Sequence, residues 1–438
     1  MFLLIFGLSS AWALDAPSLN LKKALETARS QNPRVRQMRE RLNEVRAQSR
    51  VVFATLLPTV NANLTYQQRK DSLNSNAPLF GGEAYTLYQL GFTLNQPILQ
   101  GTALWDGISV AKRDIELAEN DLIEAERDLD VQVARAYYRV LLAEKNVATL
   151  ESSRLIDKKS VETSEKRQRV GKGKNLEVLQ AKTQSALLIP RIGAAKNQLR
   201  LAASELATLL RLETSDEIRL SSTDFGQADS GHLKTLLDKK ATVEKLPEVR
   251  RAGLQIERAD ALRGVLFSKH LPTLGLFANW GQAAFVKSDL LTPDASTWSL
   301  GLQATIPIFS GLSSVNERAS LAAQTRQLEE GRAQIVTAQV LARVRTKDSL
   351  ELAFESLKSA EEALSLARKS VQEAQKDYAL GTIDYQSLLV SQQSLLNAEL
   401  AGDQARFDWI DAQLGYCVSF QVDLDSCLKK SVGLEKSL

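Results

Sequence analysis

The sequence predicts a mostly helical chain with a transmembrane β-barrel part: long antiparallel coiled-coil hairpins forming an α-barrel, plus four β-strands per chain that close a barrel only when copies assemble. Three observations predict it. The first is a duplication, because Pro58 answers Pro272, Leu90-Gly91 answers Leu300-Gly301, Pro97-Ile98 answers Pro307-Ile308, Gly101 answers Gly311 and Gly171 answers Gly381. The separation is 214 residues at Pro33/Pro247 and Pro58/Pro272 and 210 at each later landmark, far too long for a solenoid. The second is an uninterrupted seven-residue apolar repeat, and the third is a change of period from seven to two between paired prolines.

Taken in chain order, Phe2-Leu3-Leu4-Ile5-Phe6 followed by Ala11-Trp12-Ala13 has the apolar run and small-x-small pattern of a secretory signal, so residues 1–13 are expected to be a signal peptide. No Lys or Arg precedes the apolar run, which departs from the usual form. The first structural repeat is expected over 14–212, an irregular linker over 213–240, the second repeat over 241–416 and a tail over 417–438. The four-residue difference between copies falls between Pro58 and Leu90, where a loop is expected.

Val60, Ala62, Leu64 and Tyr66 alternate with Asn61, Asn63 and Thr65, and Tyr88, Leu90, Phe92 and Leu94 with Gln89, Gly91, Thr93 and Asn95. Alternation of this kind is the signature of a strand with one apolar and one polar face. In the second copy Leu274, Leu276, Ala278 and Trp280 begin one strand; Trp298, Leu300, Leu302, Ala304 and Ile306 share one face of the next, opposite Ser299, Gly301, Gln303 and Thr305. Strands are expected over about 59–69, 85–97, 273–286 and 297–308, with polar loops at 74–82 and 287–296. Alternation alone fits a small soluble sheet packed on helices as well as a membrane barrel with a wet lumen. Aromatics near the segment ends (Tyr66, Tyr85, Tyr88, Trp280, Phe285, Trp298, Phe309) suit a membrane girdle, and the export signal favours the barrel, with Trp298, Leu300, Leu302, Ala304 and Ile306 facing lipid.

No proline interrupts Gly101 to Ile189 or Gly311 to Leu438, so each copy has room for a helix of roughly 65 to 70 residues, about 100 Å at the α-helical rise. Leu350, Leu357, Leu364, Val371 and Tyr378 recur every seven residues, with Ala353, Ala360, Ala367 and Ala374 three residues later, which is a coiled-coil seam. The first copy has a looser version in Val133, Ala136, Val140, Ala143, Val147 and Leu150. Each long helix then meets a glycine turn, Val170-Gly171-Lys172-Gly173-Lys174 or Leu380-Gly381-Thr382-Ile383-Asp384, where glycine takes a left-handed cap and Asn175 or Asp384 begins the return helix.

Catalysis finds no foothold in this sequence, so no enzyme and no cofactor are expected. It has two histidines, His232 and His270, no Cys/His cluster with metal spacing, and no glycine-rich loop between a strand and a helix. A net charge of +3 is too small and dispersed for nucleic acid. Cys417 and Cys427 are spaced for a local disulfide or stand as two thiols. Four strands cannot close in hydrocarbon, where an open edge leaves backbone groups unsatisfied at several kcal/mol each. Closure therefore requires oligomerisation, and three copies would supply about twelve strands and a lumen wide enough for solutes.

The duplicated order, the strand starts Leu57-Pro58-Thr59 and Leu271-Pro272-Thr273, the Pro-Ile-x-x-Gly segments at 97–101 and 307–311, and Tyr378-Ala379-Leu380-Gly381-Thr382 together resemble the TolC family of outer membrane efflux proteins. The resemblance implies a homotrimeric channel-tunnel in outer membrane lipid with a long periplasmic portion. It implies a periplasmic adaptor and an inner-membrane pump of RND, ABC or MFS type, serving a tripartite efflux or type I secretion system that conducts cargo passively. It also implies adaptor docking at Val170, Gly171, Lys172, Leu380, Gly381 and Thr382. Glu177, Tyr378, Ile383, Ser387 and Val390 would stand at the periplasmic entrance; of these only Glu177 keeps a family carboxylate, Ile383 replaces a basic partner, and Tyr378 keeps an aromatic that its heptad position equally suits for packing. A periplasmic coiled-coil adaptor or scaffold with a soluble sheet is the alternative, although an adaptor has one helical hairpin flanked by compact β domains.

Overall fold

A computed structural model describes residues 19–70, 84–213, 242–309 and 311–422, together with 218, 220, 225, 233, 236 and 237. The expected signal segment 1–13, the loop at 74–82 and Cys427 lie outside the described residues. In chain order the elements are α1 (Leu21–Gln31), α2 (Pro33–Ala54), β1 (Thr59–Lys70), β2 (Ala84–Gln100), α3 (Ala103–Arg169) and α4 (Asn175–Leu210). The second copy gives α5 (Pro247–Ser268), β3 (Thr273–Ala284), β4 (Ser296–Thr305), α6 (Ser313–Leu380) and α7 (Tyr385–Phe420). Between β3 and β4 the chain makes two short 3-10 turns, Lys287–Asp289 and Pro293–Ala295.

The duplication extends to backbone geometry. Six of the seven left-handed residues among those described come in pairs 210 positions apart, Gly101 with Gly311, Gly171 with Gly381, and Arg211 with Gln421; the seventh, Leu312, has no left-handed counterpart at Thr102. The last pair caps the return helices α4 and α7, each cap N–H reaching back to helix carbonyls, Ala207 and Thr208 in one case and Cys417 and Val418 in the other. Neither position carries glycine, so both helix ends hold a side chain in a conformation that L residues take at a cost.

The chain divides into two compact units. One comprises 1–37, 123–246 and 336–438. Within it the seam residues Leu350, Leu357, Leu364, Val371 and Tyr378 are all buried, as are Val133, Ala136, Val140, Ala143 and Leu150. Heptad spacing keeps one stripe facing the partner helix, and alanines between the larger residues let the backbones approach. Arg343 is held within the same unit, donating to the carbonyls of Ser419 (2.9 Å) and Thr242 (3.2 Å) with its guanidinium over the Phe420 ring. Cys417 is fully buried in α7 beside Leu350, Trp409 and Tyr416.

The other unit comprises Met38–Leu122 and Pro247–Ile335. It contains one antiparallel sheet in the order β1-β2-β3-β4, so each copy's hairpin sits side by side with the other. Ion pairs between Arg46 and Glu119 (2.9 Å), Arg258 and Asp114 (2.5 Å), and Arg251 and Asp121 (3.1 Å) tie its helices together. β4 stops at Thr305, three residues short of the expected end at 308. The reason is pairing: Thr305 lies opposite Thr273, the first residue of β3 and also the partner of Gln100 at the end of β2, so residues 306–309 run past the strand that would pair with them.

Candidate functional site: hairpin tips and sheet faces

Both helix reversals close by the same pair of hydrogen bonds. At the first tip the Lys172 N–H donates to Arg167 O (2.9 Å) and the Gly171 N–H to Gln168 O (3.0 Å). At the second, Thr382 N–H donates to Asp377 O (3.0 Å) and Gly381 N–H to Tyr378 O (3.1 Å), with φ of 73° at Gly171 and 84° at Gly381. This double bond around a left-handed residue satisfies carbonyls that the last helical turn leaves free, and glycine takes it without a Cβ clash. The following helices start differently. Asp384 caps α7, accepting from the Ser387 N–H (2.9 Å) and hydroxyl (2.7 Å), and these bonds hold its carboxyl below the usual range. The expected cap at Asn175 is displaced by one residue: Lys174 occupies the cap position without a side-chain bond, while Asn175 Oδ1 accepts from Gln168 Nε2 (3.2 Å).

The second tip is tied to the first through Tyr378. Its hydroxyl donates to Glu177 Oε2 (3.1 Å), which leaves it to accept from Ser164 Oγ (3.0 Å). Arg167 lays its guanidinium 4.7 Å from the ring centroid and donates to the Tyr378 carbonyl and, at 3.4 Å, to the Lys172 carbonyl. The ring is only 2% exposed and packs with Ala181, Ala374, Tyr385 and Leu388. Burial pushes the Tyr378 phenol above its ordinary value. Tyr378 thus packs in the core, as its heptad position suits, and also bridges the two tips through polar contacts.

The remaining sites separate by exposure. Ile383 packs against the Tyr378 cluster, an apolar filling where a basic partner would stand. Ser387 and Val390 are exposed, as are Val170, Lys172, Leu380 and Thr382. Val170 at 67% and Leu380 at 79% are large apolar groups with no cover within the chain. Gly171 and Gly381 differ: nothing lies within 4 Å of a Cβ built at Gly171, whereas one at Gly381 would stand 3.4 Å from Arg167 Nη2. Sequence reasoning missed Ser164, Arg167 and Tyr385. Aligning the copies at the 210-residue offset puts Arg167 opposite Asp377 and Ser164 opposite Ala374, and these breaks in the repeat are the signal.

In the sheet, the register aligns residues of like polarity across all four strands in three successive rows. Ala62, Phe92, Trp280 and Trp298 form one row, and Val60, Leu94, Ala278 and Leu300 the next, on a common apolar face. On the opposite face run Asn61, Thr93, Asn279 and Ser299. Phe277 is a large apolar group there, its ring lying where a Cβ on the paired Gly301 would have to go. On the apolar face Trp298, Leu300 and Leu302 are 78%, 64% and 65% exposed, and Ile306 just beyond the strand 65%. Ala304 on the same face is also exposed. A soluble sheet would bury these side chains, each costing about 1.5 to 3 kcal/mol if left in water.

The sequence model for outer membrane efflux proteins matches residues 24–210 and 241–415, each match spanning one copy of the duplication. The chain belongs to the outer membrane efflux protein family. A search of curated proteins finds no match. Among solved structures, the CmeC outer membrane channel of Campylobacter jejuni superposes with a TM-score of 0.80 at 17% identity, covering 96% of this chain and 91% of that one. The outer membrane protein VceC of Vibrio cholerae gives 0.77 at 18% identity, covering 91% and 95%. The open-state MtrE outer membrane channel of Neisseria gonorrhoeae gives 0.72 at 17% identity, covering 92% and 89%. This efflux-family protein therefore has the fold of outer membrane channels over nearly its full length.

Proposed function

We propose that the chain is one protomer of a homotrimeric outer membrane duct that passively conducts cargo handed over by a periplasmic adaptor and an inner-membrane pump. The observation that carries this reading is the pairing of an uncovered apolar sheet face, in register over four strands, with helical hairpins whose tips expose Val170 and Leu380. The apolar row through Trp298, Leu300, Leu302 and Ala304 meets lipid, and the row Asn61, Thr93, Asn279 and Ser299 lines the lumen. The six tip residues 170–172 and 380–382 receive the adaptor. Glu177, Tyr378, Ile383, Ser387 and Val390 shape the entrance, held by the Tyr378 bridge instead of a carboxylate ring, because Ser387 and Val390 are uncharged. The pump belongs to the RND, ABC or MFS type. Cys417 and Cys427 bridge locally in the oxidising periplasm. A soluble adaptor or scaffold is disfavoured by the same sheet face.

The test is reconstitution. Detergent-purified protein added to a planar lipid bilayer should give discrete ion-conducting steps, and a photo-cross-linker at Val170 should capture a periplasmic adaptor in cells. Protein that stays in solution without detergent and conducts nothing would overturn the proposal.

A further inference from the structure

We infer that the tip between α3 and α4 is a cationic docking surface that selects a carboxylate-bearing partner segment, and that the tip between α6 and α7, although its backbone twin, is not. The inference deepens the duct reading, on which the partner's being a periplasmic adaptor rests.

The two turns align residue for residue at the 210-residue offset, yet their charges are opposite in sign. Residues 163–174 hold Lys166, Arg167, Arg169, Lys172 and Lys174 against Glu165, whereas 373–384 hold Lys376 against Glu373, Asp377 and Asp384. Closing the turn does not require the difference, because both turns make the same pair of backbone hydrogen bonds. Ending the long helix does not require it either. Cations in a last turn complement the partial negative charge of a helix C-terminus, which suits Lys166, Arg167 and Arg169 of α3, but α6 ends with no basic residue in its last turn.

The start of the return helix carries the argument further. A helix N-terminus disfavours cations and takes Asp as a cap. Helix α7 follows that rule with Asp384, whose carboxylate accepts from the Ser387 N–H at 2.9 Å. Helix α4 breaks it: Lys174 stands at the cap position without a side-chain bond, and Lys172 precedes it by two residues. The first tip therefore keeps cations where local structure opposes them, and a departure of that kind from local preference is what a functional position shows.

Three of the five cations are partly engaged. Arg167 is committed to the Tyr378 ring and carbonyl. Arg169 lies 3.8 Å from Glu165, which Lys182 also holds at 2.9 Å. Lys174 is among the charges that hold the Asp384 carboxyl low, after the Ser387 bonds. Lys166 and Lys172 are exposed without an ion-pair partner among the described residues, and in the chain they flank Val170, which is 67% exposed. At the second tip Lys376 is matched by Glu373 at 2.8 Å, so no spare cation flanks Leu380. A partner that lays an apolar side chain on Val170 and carboxylates on Lys166 and Lys172 satisfies the first tip, whereas at the second it meets Asp377 and Asp384. Attraction at one turn and like-charge repulsion at the other supply the discrimination.

The test uses two synthetic helical hairpins, each with a leucine at its turn and differing only in Glu or Lys beside it, titrated onto the full-length assembly in detergent. At about 20 mM salt the Glu hairpin should bind roughly tenfold more tightly than the Lys hairpin, and the preference should shrink to about threefold or less at about 500 mM, where exposed charges are largely screened. Lys166→Gln combined with Lys172→Gln should remove the low-salt preference, and Lys376→Gln should retain it. Failure of the Glu hairpin to bind, equal affinity for both hairpins, or a preference that survives high salt overturns the inference even if the double variant fails to assemble. A Lys376→Gln protein that loses the preference as fully as the double variant overturns the inequivalence of the tips. Binding of phosphatidylglycerol over phosphatidylcholine vesicles through Lys166 and Lys172, without binding of the Glu hairpin, assigns the tip to a lipid surface and overturns the inference too. If the Glu hairpin binds as stated but a photo-cross-linker at Val170 captures no periplasmic protein in cells, the adaptor reading fails while the charge selectivity of the tip stands.

Discussion

Asp157 sits where a carboxylate is disfavoured in the folded chain, so its effect on stability has a definite sign. Its folded value is raised to about 6, above the ordinary value of an unfolded aspartate. The favourable contribution of the neutral form is therefore fully present below about pH 4 and is lost as pH rises through about 6. Asp157→Asn, which cannot ionise, should stabilise the protein at pH 8 by about 2 to 3 kcal/mol and by almost nothing at pH 4. Chemical denaturation at the two pH values checks this, and an equal shift at both would refute it. The seam itself was legible in the sequence, because the residues from Leu350 to Tyr378 that set the heptad are buried. The polar network behind it was not: Asp157, Ser164 and Gln392 sit on the same faces as apolar residues, and periodicity reports only that a face is covered, not by what.

Among the elements, β4 and the two turns offer the sharpest tests. Leu302 pairs with Leu276 on the apolar face, while the next residue, Gln303, pairs with Gly275 on the other. Leu302→Arg should therefore cost about 2 to 4 kcal/mol near the bilayer midplane, whereas Gln303→Arg should assemble normally. Membrane insertion of both variants, measured side by side, decides the facing; equal yields would reject it. Strand alternation was legible because a period of two is unambiguous over ten residues. The early end of β4 was not, because pairing depends on a neighbour that the sequence does not name.

The turns separate docking from the Tyr378 bridge. A substituent at Gly171 meets open space, so Gly171→Asn, which tolerates the left-handed region, should fold and dock as wild type does. Gly171→Glu should assemble but lose adaptor cross-linking. At Gly381 a new side chain touches Arg167, so Gly381→Glu should draw that guanidinium from the Tyr378 carbonyl and alter the entrance as well. Cross-linking yield set against conductance for the three variants checks the distinction, and a Gly171→Glu protein that cross-links normally would defeat the docking assignment. Glycine at both tips was legible as a turn, but their different surroundings depend on Arg167 of the other hairpin, which no local spacing reveals.

At the scale of the whole molecule, the sheet order leaves two free edges, β1 and β4, in each chain. Within hydrocarbon every unpaired N–H and C=O on those edges costs several kcal/mol, so the β4 edge of one copy must meet the β1 edge of another until the ring closes. Two copies would give about eight strands, an interior that side chains fill. Three give about twelve, and the small polar row Asn61, Thr93, Asn279 and Ser299 would then border an open lumen. The assembly is accordingly expected to be a homotrimer that requires detergent. Its mass, measured on the solubilised particle after subtracting bound detergent, should be three times that of the mature chain. A stable water-soluble monomer would remove the membrane assignment of the apolar face, and a dimer would leave that assignment standing while abolishing the lumen.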